Sequence, residues 1–156
     1  GSKWGAAEWL VRSGEAVRAR ETLFYPAYSP DGRWIAFNRA DEGVAPGASP
    51  LDAELWLISD ERGGPIHLDT ASGGSSTTNS WPKWAPDSGD GILWIAFTST
   101  RPYGRIETGG SQIWISGIDP EVARTGRDPS HAAFRMPYQE LDYSNHVAYW
   151  AEFQKE

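Results

Sequence analysis

The residues best suited to chemistry in this chain are few and scattered. Its three histidines fall at His67, His131 and His146, and it contains no cysteine. Without cysteine neither a disulfide nor a thiolate metal site can form. No His-Glu-x-x-His or His-x-x-x-His spacing brings two imidazoles to one metal, and no Gly-x-Ser-x-Gly elbow offers a serine to a base. Asp87-Ser88-Gly89-Asp90-Gly91 has some of the residues of a calcium loop, but it lacks a third acidic ligand and the distal glutamate. It reads as a tight turn. Gly73-Gly74-Ser75-Ser76-Thr77-Thr78 lacks the lysine of a phosphate loop and reads as a flexible connector. Catalysis, a metal and a cofactor are therefore not expected. What remains suits recognition: amide and imidazole donors at Asn79, Asn145 and His146 beside Trp81, and the guanidinium and phenol groups of Arg101, Tyr103, Arg105 and Tyr138.

The elements that must position these groups come from a repeat. Tyr25-Pro26-Ala27-Tyr28-Ser29-Pro30-Asp31-Gly32-Arg33-Trp34-Ile35-Ala36-Phe37 returns as Trp81-Pro82-Lys83-Trp84-Ala85-Pro86-Asp87, a longer turn, and Leu93-Trp94-Ile95-Ala96-Phe97. Pro-Asp-Gly and Pro-Asp-Ser-Gly are turn chemistry: proline presets φ, Asp bonds back to the backbone, and glycine takes a positive φ without steric cost. The segments on either side read as a hairpin. Its second strand is a continuous apolar run, which fits burial on both faces. Each copy offers a third strand, at Leu55-Trp56-Leu57-Ile58 and Ile113-Trp114-Ile115. A fourth follows at Pro65-Ile66-His67-Leu68, with Ala132-Ala133-Phe134-Arg135-Met136 as its counterpart.

Four-stranded units with buried aromatics are the mark of propeller blades, so the expected class is all-β, with four-stranded antiparallel β-propeller blades in an incomplete ring. One blade is expected over residues 24–70 and one over 80–137. Asn145-His146-Val147-Ala148-Tyr149-Trp150 aligns with Asn79 to Trp84 and would supply the first strand of a further blade over 145–152. Glu8-Trp9-Leu10-Val11-Arg12 and Val17-Arg18-Ala19 match third and fourth strands, so residues 3–23 are expected to form the outer part of a preceding blade. Gly1-Ser2 reads as a cloning remnant, and the chain as part of a longer propeller.

The aromatic, Ser-Pro-Asp-Gly and Ile-Ala-Phe sequence of the first copy resembles the repeat of the TolB-like β-propellers, and the likeness covers most of residues 8 to 152. The second copy departs from the pattern by Ala85 in place of Ser and by the Ser88 to Gly91 expansion. The resemblance implies a non-catalytic protein- or peptide-binding scaffold of a bacterial envelope, periplasmic or secreted. The alternative it implies is the propeller portion of an enzyme, either a prolyl-oligopeptidase-like peptidase or a polysaccharide lyase, whose catalytic part lies elsewhere.

Composition narrows the partners. The 156 residues carry a net charge of −7 and no Lys/Arg stripe, so nucleic acid is not an expected partner. No run of eighteen apolar residues exists, so membrane insertion by a helix is not expected either. Exposed strand edges would favour self-association. The connections Arg39 to Ala53, Asp69 to Ser80, Thr100 to Ser111 and Pro137 to Asn145 are long and share one end of the blades, where binding residues concentrate. That end would display Asp41, Glu42, Asp52, Arg101, Tyr103, Arg105, Glu107, Tyr138, Glu140, Asp142 and Tyr143. Asn79, Trp81, Asn145 and His146 would lie near the mouth of a central channel.

Overall fold

A computed structural model of the chain describes residues 5–12, 21–41, 52–61, 63–74, 77–86, 91–106 and 110–151. The two repeats form two four-stranded antiparallel sheets. The first is β1 (Glu21–Tyr28), β2 (Trp34–Asp41), β3 (Glu54–Ser59) and β4 (Ile66–His67), paired in that order. The second is β5 (Asn79–Trp84), β6 (Leu93–Ser99), β7 (Gln112–Ile118) and β8 (Phe134–Arg135). Two short helices lie in the connections, α1 (Asp69–Ser72) between the sheets after β4 and α2 (Pro120–Ala123) between β7 and β8.

The first hairpin closes as its sequence dictates. Ser29 N–H donates to Trp34 O at 2.8 Å, Gly32 N–H returns to Ser29 O at 2.9 Å, and Gly32 takes φ 71°. Glycine is needed there because a side chain at that φ would crowd the backbone. The second hairpin repeats the closure, Ala85 N–H to Trp94 O at 2.8 Å. Both first strands also carry the same irregularity. The register shifts between Phe24 and Ala27 in one and between Ser80 and Lys83 in the other, with Tyr25 and Trp81 at φ 52° and 58°. A bulge of this kind puts an extra residue into one strand and bends it.

The apolar second strands lie in the middle of the sheets and are covered on both faces. Trp34 to Ala40 are buried throughout. Between the sheets, Trp34, Ala36, Leu55 and Leu57 of the first pack with Leu93, Ile95, Phe97 and Trp114 of the second. Full burial of each large side chain in this layer contributes about 1.5–3 kcal/mol. Leu68 and Ala71, at the start of α1 and within it, and Ala123 of α2 close the outer margin of the same core.

Polar bonds fix how the sheets step. Asn79 N–H donates to Ala53 O at 2.8 Å, Trp81 N–H to Asn38 Oδ1 at 3.1 Å, and Trp84 Nε1 to Ala27 O at 2.9 Å. Sixty-six residues on from the second copy the same set recurs: Asn145 N–H to Ser111 O at 2.7 Å, Val147 N–H to Thr98 Oγ1 at 3.3 Å, and Trp150 Nε1 to Lys83 O at 3.0 Å. Val147 also has a positive φ, 53°. Residues 144–151 thus follow the path of a third first strand, but they form no strand, since no described segment pairs with them.

Three expectations change. Residues 8–12 form no strand; Trp9 and Leu10 are exposed, and only Val11 reaches apolar surface, beside Ile35, Phe37 and Ile58. Sheet one ends at the bulged edge strand β1, which starts at Glu21 and not at 24, and no described strand flanks residues 8–12 to complete a ladder. Val17-Arg18-Ala19 lies outside the described residues. The two helices were not expected, although Asp119 caps α2 by accepting from Glu121 and Val122 N–H at 2.8 and 3.2 Å, with Pro120 in its first turn.

Candidate functional site

The end of the sheets where β2 leads to β3, and β6 to β7, carries most of the residues selected above. Its floor is polar and closed. Arg101 follows β6 and is only 9% exposed. Its Nη2 donates to Ala71 O at 2.7 Å, Ser72 O at 2.9 Å and Asn79 Oδ1 at 2.6 Å, while Nε donates to Ser99 Oγ at 2.9 Å. The guanidinium therefore meets carbonyls at the end of α1, which a helix of four residues leaves without internal partners. It lies 4.7 Å from the Trp114 ring centroid and 5.4 Å from that of Phe97. No carboxylate pairs with it among the described residues. Burial lowers its pKa to about 10, so it stays charged at neutral pH. Arg101 was expected on an exposed loop; it is instead the pin that ties α1 to β5 and β6.

Asn79 shares that role. It is 1% exposed, donates from Nδ2 to Ser72 O and Thr77 O at 3.2 Å, and accepts from Arg101. Its hydrogen-bonding capacity is taken up inside the protein. Trp81 stacks on Tyr25 with ring centroids 3.7 Å apart, one bulge residue on the other. Asn145 is held by its backbone bond to Ser111 O, and the exposed His146 ring lies 3.1 Å from Ser111 Oγ. Asn79 and Arg101 are brought together, as are Asn145 and His146 around Ser111. Trp81 stands apart from both pairs, on Tyr25 of the first sheet.

Above this floor is an exposed rim built from the second sheet. Tyr103 and Ile106 form a short turn through reciprocal backbone bonds of 2.9 and 3.1 Å, with Arg105 exposed between them. Tyr103 packs edge-on toward Trp114 at 6.5 Å, and Arg135 lies over its ring at 5.3 Å. Arg135 is itself held by Gln112 Oε1 at 2.9 Å. Gln139 pins the following turn to β7, accepting from Ile113 N–H at 2.7 Å and donating to Ile113 O at 2.9 Å. That turn projects Met136, Tyr138 and Tyr143, all exposed, with Tyr138 wholly so and at φ 63°. Glu140 and Asp142 are also exposed beside them, and Asp52 is exposed next to β3. Asp41 ends β2, and Glu42 and Glu107 lie outside the described residues.

Several residues that shape the site were not selected from the sequence. Asn38, wholly buried, donates from Nδ2 to Glu54 O at 3.0 Å and Asn79 O at 2.8 Å and accepts from Trp81, joining the two sheets below the rim. Asp128 accepts from Thr70 N–H at 2.8 Å and from Ser130 N–H at 2.9 Å, anchoring α1 to the β7–β8 connection. Burial alone would raise the Asp128 carboxyl, but the hydrogen bonds from Ser130 and Thr70 outweigh it and hold the pKa below 3.8. Arg39 lies in β2, bonded to Glu21 and stacked 4.2 Å from the Trp56 ring centroid, so it begins no loop.

Two concavities lie at the opposite, tight-turn end. One, of about 470 Å³, is bounded by Arg33, Trp34, Asp60, Glu61, Ile66 and Arg124. The other, of about 360 Å³, runs along the inner edge past Tyr28, Lys83, Trp84 and Trp150. Among the described residues no group of three His, Asp or Glu side chains could hold a metal ion, and no helix is long and apolar enough to cross a membrane. No family model, curated protein or solved structure matches the chain.

Proposed function

We propose that this chain is a non-catalytic binding module built from blades of a TolB-like β-propeller, and that it meets a protein or peptide partner through the rim above Arg101. The blade reading is supported by the recurrence of three bonds between successive repeats, which carries β5 and then residues 145–150 onto the previous sheet at corresponding positions. The single observation that carries the functional reading is the rim itself. Tyr103, Ile106, Met136, Tyr138 and Tyr143 are exposed on two neighbouring connections, above a base in which Arg101 is bonded to Asn79 and Gln139 to Ile113. Tyrosines on a rigid base offer large contact area at little conformational cost, as recognition surfaces do.

The test is selection of a displayed random peptide library against the intact chain, with counter-selection on the Tyr103→Ala/Tyr138→Ala double variant. Both side chains are exposed enough for the variant to keep its melting temperature. Peptides that bind the parent and lose about tenfold or more on the variant are expected, in line with hot-spot aromatics. Peptides that bind both proteins equally would place recognition away from the rim and overturn the proposal.

A further inference from the structure

We propose a second binding site at the opposite end of the sheets, in which the inner-edge groove takes a short acidic peptide in the polyproline conformation. The groove of about 360 Å³ runs across the three corresponding positions Tyr28, Trp84 and Trp150. Tyr28 is 64% exposed and Tyr149, beside Trp150, is 86% exposed. Both indole N–H groups are already spent, Trp84 on Ala27 O and Trp150 on Lys83 O. These tryptophans therefore offer a ligand their rings and not a donor, and the tyrosines add two more exposed rings. A row of aromatic faces whose two indole N–H groups are satisfied favours apolar rings, and proline is the residue that supplies them on an extended backbone. A polyproline segment also has its backbone solvated and little conformational freedom left to lose on docking.

The acidic requirement comes from Lys83. Among the described residues it is the one charged side chain lining this groove, a cation in a chain whose net charge is −7. Its ammonium lies 6.0 Å from the Tyr149 ring centroid, and no carboxylate pairs with it among the described residues. A glutamate flanked by prolines would place a carboxylate beside Lys83 while the pyrrolidine rings rest on Tyr28 and Tyr149. Pro30 and Pro86, from the two hairpin turns, form the groove's margins and keep those turns rigid.

The inference is tested with acetyl-Pro-Pro-Glu-Pro-Pro-amide titrated into the nitrogen-15-labelled chain, reading the indole N–H signals. Trp84 and Trp150 are assigned by the signals missing from Trp84→Phe and Trp150→Phe. Both signals should shift and saturate with a Kd of about 1 mM or tighter. The same peptide with glutamine for glutamate should bind about two- to fivefold more weakly, and Lys83→Met should abolish that difference. Tyr103→Ala/Tyr138→Ala should leave the titration unchanged, so failure at the rim and failure at this groove are separable. No shift at about 10 mM peptide overturns the inference. So do equal affinities of the glutamate and glutamine peptides for the parent chain, or equal shifts with acetyl-Gly-Gly-Glu-Gly-Gly-amide.

Discussion

Replacing Arg101 by methionine removes the guanidinium and keeps most of the apolar stem. The substitution leaves Asn79 Oδ1 and Ala71 O without the donors they now have at 2.6 and 2.7 Å. Ser72 O is less affected, because Asn79 Nδ2 and Thr77 Oγ1 also donate to it at 3.2 and 3.1 Å. Two buried acceptors left unpaired cost about 1–3 kcal/mol each, or roughly 2–6 kcal/mol together. Part of that is returned, because burying a guanidinium is itself unfavourable, which is also why burial lowers its pKa. The expected net loss is about 2–3 kcal/mol, equivalent to a melting point lower by roughly 5–10 °C in a chain of this size. The measurement is thermal unfolding followed by near-ultraviolet circular dichroism, to which nine tryptophans contribute. A second arm sharpens it: Asn79→Leu with Arg101→Met removes both sides of the strongest bond, so the double variant should lose less than the sum of the two single losses, although Ala71 O stays unpaired and Thr77 O loses its Asn79 donor. An Arg101→Met protein that melts within about 1 °C of the parent would refute the view of Arg101 as the pin of the loop end.

Gly73→Ala attacks the same place from the other side. Its Cβ would lie 2.7 Å from Arg101 Nη1 at a backbone φ of +70°, so a loss of about 1–3 kcal/mol is expected in urea unfolding. Asp128 makes stability acid-sensitive. Its folded pKa lies below 3.8, so its contribution is present above that value and is lost as pH falls through the folded pKa. Asp128→Asn should flatten the stability profile below about pH 4 and cost about 1–2 kcal/mol at neutral pH, read from melts across a pH series. Trp84→Phe deletes the indole bond to Ala27 O that joins the sheets, and should cost about 1 kcal/mol. Trp150→Phe removes the corresponding bond to Lys83 O at a more exposed position and should cost less; the reverse order would contradict the equivalence of the two repeats.

The parts of the fold legible in the sequence are those set by neighbours along the chain. Ser29 to Gly32 makes its turn from proline, aspartate and glycine at fixed offsets, and Trp34 to Phe37 is too apolar to lie anywhere but inside. The third strands at Trp56 and Trp114 follow from the same repeat. A cation after a strand is ordinarily solvated, and nothing local to Arg101 announces that α1 and β5 will bring three acceptors to it. Asn38 was overlooked for a related reason: its three bonds run to Glu54, Asn79 and Trp81, residues 16, 41 and 43 positions away. The cap of α2 was visible in Asp119-Pro120, but a four-residue helix is too short for a periodic signal. Residues 8–12 carry a plausible strand pattern, yet a strand is defined by its partner, and no described segment supplies one.

The bulges at Tyr25 and Trp81 each set a proline next in line, Pro26 and Pro82, within strands that stand at the margin of their sheets. Proline has no amide hydrogen to offer, and the kinked backbone beside it cannot lie flat against a newcomer, so neither margin can seed the stacking of further chains. Ala148 occupies the corresponding place in the third copy and keeps its amide. Protection against fibre-like growth is thus written into the inner margins of both sheets, and Ala148→Pro is the substitution that would carry the same feature into the third copy.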